Sequence, residues 1–142
     1  MINPMDPNNP IVRLCAEGME WEMKGKLDEA SKLFMTAWEQ SADDFEKCIA
    51  AHYVARHQQT ASETLRWNQE SLDRANAVDD LRVQGFYPSL YLNMGKSHED
   101  LGNREEAKRF YELASARMNH LLADRYGDIV RDGIARGLQR VS

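Results

Sequence analysis

The sequence contains little cysteine, glycine or proline. Its two cysteines, Cys15 and Cys48, form neither a CxxC pair nor the framework of a disulfide-rich secreted domain. We therefore expect two buried free thiols. Eight glycines and four prolines in 142 residues are too few for a turn-rich sandwich or barrel. The abundant Ala, Leu, Glu, Arg and Met favour helices, so the composition predicts an all-α protein.

Long apolar runs and an excess of positive charge are also missing. No run approaches the roughly 18 apolar residues that a membrane span needs. The formal net charge of −5 at pH 7 gives no general attraction to phosphate, so a nucleic-acid partner is disfavoured. Residues 1–10 are rich in Asn and Pro and lack the basic start and apolar core of a secretory signal. We expect a flexible segment there, a cytoplasmic protein and no membrane partner.

The motifs of common enzyme classes do not occur in the sequence. There is no GxxxxGK[ST] phosphate loop, GxGxxG turn, HExxH, GxSxG or Cys/His cluster of zinc spacing. His52 and His57 are five residues apart on one predicted helix, which separates them by about 140° and makes them a poor metal pair. We therefore predict a protein that is not an enzyme and that has no cofactor and no metal.

The chain does contain an internal repeat. Residues separated by 77 positions match along a whole predicted helical hairpin. Glycine matches glycine, alanine matches alanine, and one aromatic residue matches another. The matched pairs are Gly18 and Gly95, Gly25 and Gly102, Glu29 and Glu106, Ala30 and Ala107, Phe34 and Tyr111, and Ala37 and Ala114.

Each copy has a simple physical interpretation. Gly25 and Gly102 follow the first helix at the position where a backbone with positive φ ends it. Asn103, with a glutamate three residues later, predicts a capped start for the second helix of the later copy. Between the copies, Thr60 with a glutamate at the same spacing predicts another helix start.

These hairpins resemble the tetratricopeptide repeat, a helix–turn–helix unit of roughly 34 residues. The resemblance implies a right-handed α-solenoid of antiparallel helix hairpins with about seven helices. One domain would cover residues 11–142, with repeats at about 11–44, 45–87 and 88–121 and a capping helix at about 122–141. The middle repeat is divergent, and its register is open at this stage.

The resemblance also implies a binding groove, because the first helix of each hairpin lines the concave surface of such a stack. The residues expected to line it mix apolar and polar side chains, which suits a peptide with hydrophobic anchors and an acidic or amide group. They are Val12, Cys15, Met19, Met23, His52, Arg56, Ser89, Leu92, Asn93, Lys96 and Glu99.

Three functions are compatible with this pattern. We favour a protein-interaction module, an adaptor or scaffold that binds a peptide or partner protein in its groove. A self-associating structural protein is the alternative, because an open-ended stack can bury another copy. An RNA-associated protein or enzyme is disfavoured by the acidic charge and the missing motifs. Outside the groove, Trp67 follows Arg66 and precedes Asn68, so we expect a half-exposed indole that is available to a partner.

Overall fold

The computed structural model describes residues 6–78 and 80–142, and these are all helix, turn or loop, with no strand. The prediction of an all-α protein with about seven helices is confirmed. Three short 3₁₀ segments, Ala55–His57, Leu81–Phe86 and Met118–His120, lie between the helices. The helices are α1 (Pro10–Met23), α2 (Leu27–Gln40), α3 (Asp44–Val54), α4 (Ala61–Val78), α5 (Tyr87–Asp100), α6 (Arg104–Ala116) and α7 (Arg125–Val141).

The chain divides into two compact units, with the boundary in sequence between residues 79 and 80. The first contains α1 to α4, and the second contains α5 to α7. The boundary falls inside the predicted middle repeat, after its two helices. One domain over 11–142 stays a prediction. Of the expected flexible segment 1–10, residues 1–5 lie outside the described residues, while Asn9 caps α1 through bonds from the amides of Ile11 and Val12.

The two turns that close the matched hairpins are built identically. Gly25 and Gly102 have φ of 76° and 81°. The next residue in each, Lys26 or Asn103, donates its amide to the carbonyl five residues earlier, at 2.9 and 2.8 Å. This is the Schellman arrangement, and it confirms the two glycines as helix stops.

Of the two predicted helix-capping interactions, one forms and the other does not. The Thr60 hydroxyl accepts a hydrogen bond from the Glu63 amide at 3.1 Å and donates to the Glu63 carboxylate, so Thr60 is confirmed as the N-cap of α4. The predicted start of α6 at Asn103 is confirmed, but its side chain makes no capping bond and instead lies 3.3 Å from the His98 ring nitrogen. Glu106 is paired with Arg109 instead.

A glycine facing an aromatic ring brings the two helices of each matched hairpin together. A Cβ added at Gly18 would overlap the Phe34 ring, and one at Gly95 would overlap the Tyr111 ring. In the second unit, Gly137 of α7 approaches the same edge of Tyr111. The small residues identified from the sequence are therefore contact points where a larger side chain would keep the helices apart.

The remaining features follow from burial. Cys15 and Cys48 are buried free thiols, as predicted, and burial raises the pKa of each to about 12. The buried residues of α7 repeat at helical spacing, and its exposed side is mostly polar but includes Ile129, which is 58% exposed. A capping role for α7 stays a prediction. Within the described residues, no helix has both the length and the apolar character needed to cross a bilayer.

Candidate functional site

One side of α1 carries four of the predicted groove residues, and burial divides them. Val12 and Cys15, on the first two turns, are buried, so their side chains offer no surface to a ligand. Met19 is half-buried, and Met23 is 89% exposed. The prediction of an accessible surface is therefore wrong for Val12 and Cys15, and of these four residues only Met19 and Met23, in the C-terminal half of α1, reach the solvent.

A charged cluster lies beside the two methionines. Glu22 falls between them on α1, and its Oε2 lies 3.2 Å from Nε of Arg56 and accepts a short contact from Nε2 of His57. The Glu22 side chain is only 11% exposed, whereas Arg56 is 44% exposed. Glu22 therefore holds the Arg56 guanidinium at the last turn of α1 while leaving much of it open to solvent.

Aromatic rings pack against the residues of this cluster. The Phe34 ring, which packs against Gly18, stacks on Tyr53 at 5.3 Å and on His57 at 6.1 Å between centroids. The Arg56 guanidinium lies 5.6 Å from the Tyr53 ring centre, within the range of a cation–π contact. The glycine that allows α1 and α2 to approach thus also positions the rings on which Arg56 and His57 rest.

His52, the other predicted groove residue of α3, is not on the surface. Its side chain is buried, its ring packs edge-on against Tyr53, and burial lowers its pKa from the ordinary 6.5 to about 3. It is therefore a neutral core imidazole at neutral pH. The resemblance put His52 on the groove side, but the sequence contains no signal that this side is covered.

The predicted groove side of α5 is covered as well, because α7 packs against it. The Ser89 hydroxyl bonds to the Tyr126 hydroxyl, and Leu92 packs against the core that α7 completes. The Glu99 carboxylate accepts hydrogen bonds from Nε and Nη2 of Arg140, at 2.7 and 3.1 Å. The prediction of an open surface is wrong for Ser89, which is buried, whereas Leu92 and Glu99 are partly buried and contact α7.

The other two predicted residues of α5 remain nearer the solvent. The Lys96 ammonium is exposed and pairs at 2.9 Å with Asp100, one turn later on the same helix. Asn93 is half-buried. Of the five predicted residues on α5, Lys96 alone keeps an exposed charged group, and that group already has a partner.

Glu99 belongs to a partly buried network with the same arrangement as the Glu22 cluster. The Tyr111 hydroxyl donates to Glu99 Oε1 at 2.6 Å, and burial followed by this bond raises the pKa of Tyr111 to about 12. The hydrogen bonds from Arg140 hold the Glu99 pKa below its ordinary value. In both hairpins the glutamate four residues after the packing glycine forms an ion pair with an arginine. That arginine lies on a helical segment that follows the hairpin in sequence.

Sequence reasoning missed Glu22 and His57. A signal for Glu22 was present, because Glu22 and Glu99 are separated by the same 77 positions as the matched glycines. Nothing comparable marked their arginine partners, since Arg56 and Arg140 do not share that separation. Only the fold shows that both arginines play the same role.

Trp67 is not the exposed indole expected from its polar neighbours. It is 9% exposed and meets Trp38 edge-to-face, with 5.0 Å between centroids. The Lys47 ammonium lies 4.1 Å from the Trp38 ring centre and bonds the Trp38 carbonyl at 2.6 Å. The two indoles therefore join α2 to α4 and do not offer a partner site.

Among the described residues, no group of three or more His, Cys, Asp and Glu side chains could hold a metal ion. Compared with known proteins, the chain matches no family model, no curated protein and no solved structure. The candidate site is therefore argued from its own geometry. It consists of Met19, Met23 and Arg56, which we call the α1 surface, and it is held in place by Glu22.

Proposed function

We propose that the protein is an interaction module that binds a peptide or partner protein, and that its hairpins stack as a right-handed solenoid like that of tetratricopeptide proteins. Two hairpins that repeat at 77 positions support this proposal. They share Schellman turns at Gly25 and Gly102 and a glycine packed on an aromatic ring. The proposal includes no cofactor and no catalytic step.

The observation that carries the proposal is the exposure of Met23 on the last turn of α1, the turn from which Glu22 holds the Arg56 guanidinium. A methionine that is 89% exposed leaves apolar surface in water, and its flexible thioether adapts to different partners. Arg56 adds a planar donor that suits a carboxylate. The partner is therefore a peptide segment that presents an apolar side chain to Met19 and Met23 and an Asp, Glu or C-terminal carboxylate to Arg56.

The α1 surface alone predicts weak binding. Burying one methionine side chain contributes about 1.5–3 kcal/mol, and an exposed ion pair contributes about 0.2–1 kcal/mol. Association itself costs several kcal/mol, so a short peptide is expected to bind no tighter than about micromolar. Such affinities are measurable by fluorescence anisotropy with a labelled peptide.

The experiment is a selection of displayed random 12-residue peptides on the full chain, followed by anisotropy with the enriched sequences. Met23→Ser and Arg56→Glu should each weaken binding by about tenfold or more, which corresponds to about 1.4 kcal/mol. Leu81→Ser is the matched control for Met23, since Leu81 is 88% exposed on a different segment. Arg136→Glu, on the exposed side of α7, is the control for Arg56.

Each variant is first checked for an unchanged melting curve by circular dichroism. Enriched peptides should combine an apolar residue with an acidic one, and replacing the acid by its amide should weaken them. Peptides that bind all four variants as well as wild type would place the binding surface elsewhere. If no peptide is enriched while light scattering detects dimers that Met23→Ser abolishes, the occupant of the α1 surface is a second copy of this chain.

A further inference from the structure

The Arg56 guanidinium lies at the outer end of a row of planar groups. Phe34 and Tyr53 are buried and stack with 5.3 Å between their ring centroids. The guanidinium lies over the Tyr53 ring, 5.6 Å from its centre, and the Arg56 side chain is 44% exposed. Because the ring covers one side and Glu22 contacts Nε, the side away from Tyr53 is the one open to solvent.

Two methionines share the side of α1 from which Glu22 binds Arg56. Residues three or four apart on a helix are neighbours on its surface, so Met19 lies next to both Glu22 and Met23. Met23 is 89% exposed and Met19 is half-buried, so a partner can reach both. The α1 surface therefore combines two thioethers with a guanidinium that its own glutamate holds in place.

These groups favour an aromatic ring over an aliphatic side chain. A guanidinium is attracted to the face of an aromatic ring, where the π electrons carry a partial negative charge. A thioether also makes favourable contacts with aromatic rings, often at the ring edge. A Leu, Ile or Val side chain would gain only the burial of apolar area. We propose that the apolar side chain of the partner is aromatic and that it packs on the open side of the Arg56 guanidinium, where Met19 and Met23 contact its edge.

This inference rests on the proposed function, because it names the class of side chain that the same surface binds. Arg56 keeps its contact with Glu22, and the partner carboxylate bonds in the plane of the guanidinium, so the ring and the acid do not compete. Arg109 shows the same division within this chain. Glu106 accepts bonds from its Nε and Nη2 at 3.1 and 3.0 Å, while its guanidinium lies 4.4 Å from the Phe110 ring centre.

The test compares phenylalanine with cyclohexylalanine at one position of a peptide. Peptides enriched from the displayed 12-residue library should carry Phe, Tyr or Trp together with the acidic residue. One of them is synthesised with each of the two rings at the aromatic position, labelled, and titrated by fluorescence anisotropy. Cyclohexylalanine has a similar size and is at least as hydrophobic, but it has no π electrons. A purely hydrophobic site would therefore bind the cyclohexylalanine form as tightly or more tightly.

Wild type should instead bind the phenylalanine form about three- to tenfold more tightly than the cyclohexylalanine form. In Arg56→Gln this preference should be smaller, because only the thioethers still favour the ring. Leu81→Ser, which removes an exposed apolar side chain on another segment, should keep the wild-type preference.

A second measurement locates the ring. The methionine methyl signals are followed by NMR while each form of the peptide is added. The ring current of phenylalanine should shift the Met19 and Met23 methyl signals more than cyclohexylalanine does. Met35, which is 36% exposed on α2, is the control for non-specific contact and should not shift.

The outcomes separate this inference from the proposed function. If both forms bind equally while Arg56→Glu and loss of the peptide acid still weaken them, the aromatic anchor is refuted and the proposed function remains intact. A preference for phenylalanine that is unchanged in Arg56→Gln overturns the inference too, because the ring then lies away from the guanidinium. If no peptide is enriched, both proposals are refuted.

Discussion

Replacing Gly137 by alanine should destabilise the second unit, even though alanine is the better helix former. A Cβ at this position would lie 2.5 Å from the nearest Tyr111 ring carbon, and one at Gly95 would lie 2.6 Å from the same atom. Carbon atoms in contact prefer about 3.5–4.0 Å, so the ring or the helix must move by about 1 Å. The ring has little freedom to move, because Glu99 and Arg140 hold its hydroxyl.

The magnitude is the difference between two opposing effects. Overpacking a core costs about 1–3 kcal/mol, and the fixed ring places this site in the upper part of that range. Exchanging glycine for alanine inside a helix returns up to about 1 kcal/mol. We therefore expect Gly137→Ala and Gly95→Ala each to lower the free energy of unfolding by about 1–2 kcal/mol, measured by urea denaturation with circular dichroism at 222 nm.

Gly133 on the same helix provides the matched control. Its added Cβ would meet a methyl carbon of Leu92 at 3.0 Å, at the flexible end of a side chain. Gly133→Ala should therefore be neutral or slightly stabilising. In a Tyr111→Leu background the cost of Gly137→Ala should largely disappear, because the ring is gone. If Gly137→Ala is as stable as Gly133→Ala, the account of helix packing by glycine and ring is wrong.

Three further predictions concern stability and reactivity. The pKa of His52 falls from 6.5 in the unfolded chain to about 3 in the folded protein, so its contribution to stability is complete above pH 6.5 and is lost as pH falls. About 2 kcal/mol of the free energy of unfolding should therefore disappear between pH 7 and 5. A wild-type pH profile identical to that of a folded His52→Gln variant would contradict this. Thr60→Ala should lower the free energy of unfolding by about 1 kcal/mol and Asn103→Ala by much less, because of these two residues only Thr60 makes a capping bond. Equal losses of stability in urea denaturation would contradict this assignment. Cys15 and Cys48 should react with Ellman's reagent only as fast as the chain opens, and rapid labelling of the native protein would show that one of them is accessible.

Local chemistry made the helices and turns predictable. The Schellman glycines and the Thr60 N-cap act within five or six residues, so their effect can be deduced before the fold is known. The 77-residue repeat identified Gly18 and Gly95 as packing points for the same reason, because a missing side chain limits how closely two helices can approach. The capping bond predicted for Asn103 does not form, because a capping residue needs a particular backbone and rotamer, and its side chain turned toward His98 instead.

The candidate site was only partly predictable. The resemblance placed Met19, Met23 and Arg56 on the groove surface together with Val12 and Ser89, but Met23 and Arg56 are exposed and Met19 is half-buried, whereas Val12 and Ser89 are buried. Periodicity reports which residues share a face of one helix, but it carries no information about whether another element covers that face.

The sequence by itself determined the helical class, the positions of the turns and the small residues at the helix contacts. These depend on backbone preference and side-chain size, which are properties of short segments. Tertiary structure alone decided that His52 is a neutral core residue, that α7 covers Ser89, Leu92 and Glu99, and that Glu22 brings Arg56 and His57 together. Burial and ion pairing join residues that are distant in sequence, so they exist only once the chain has folded.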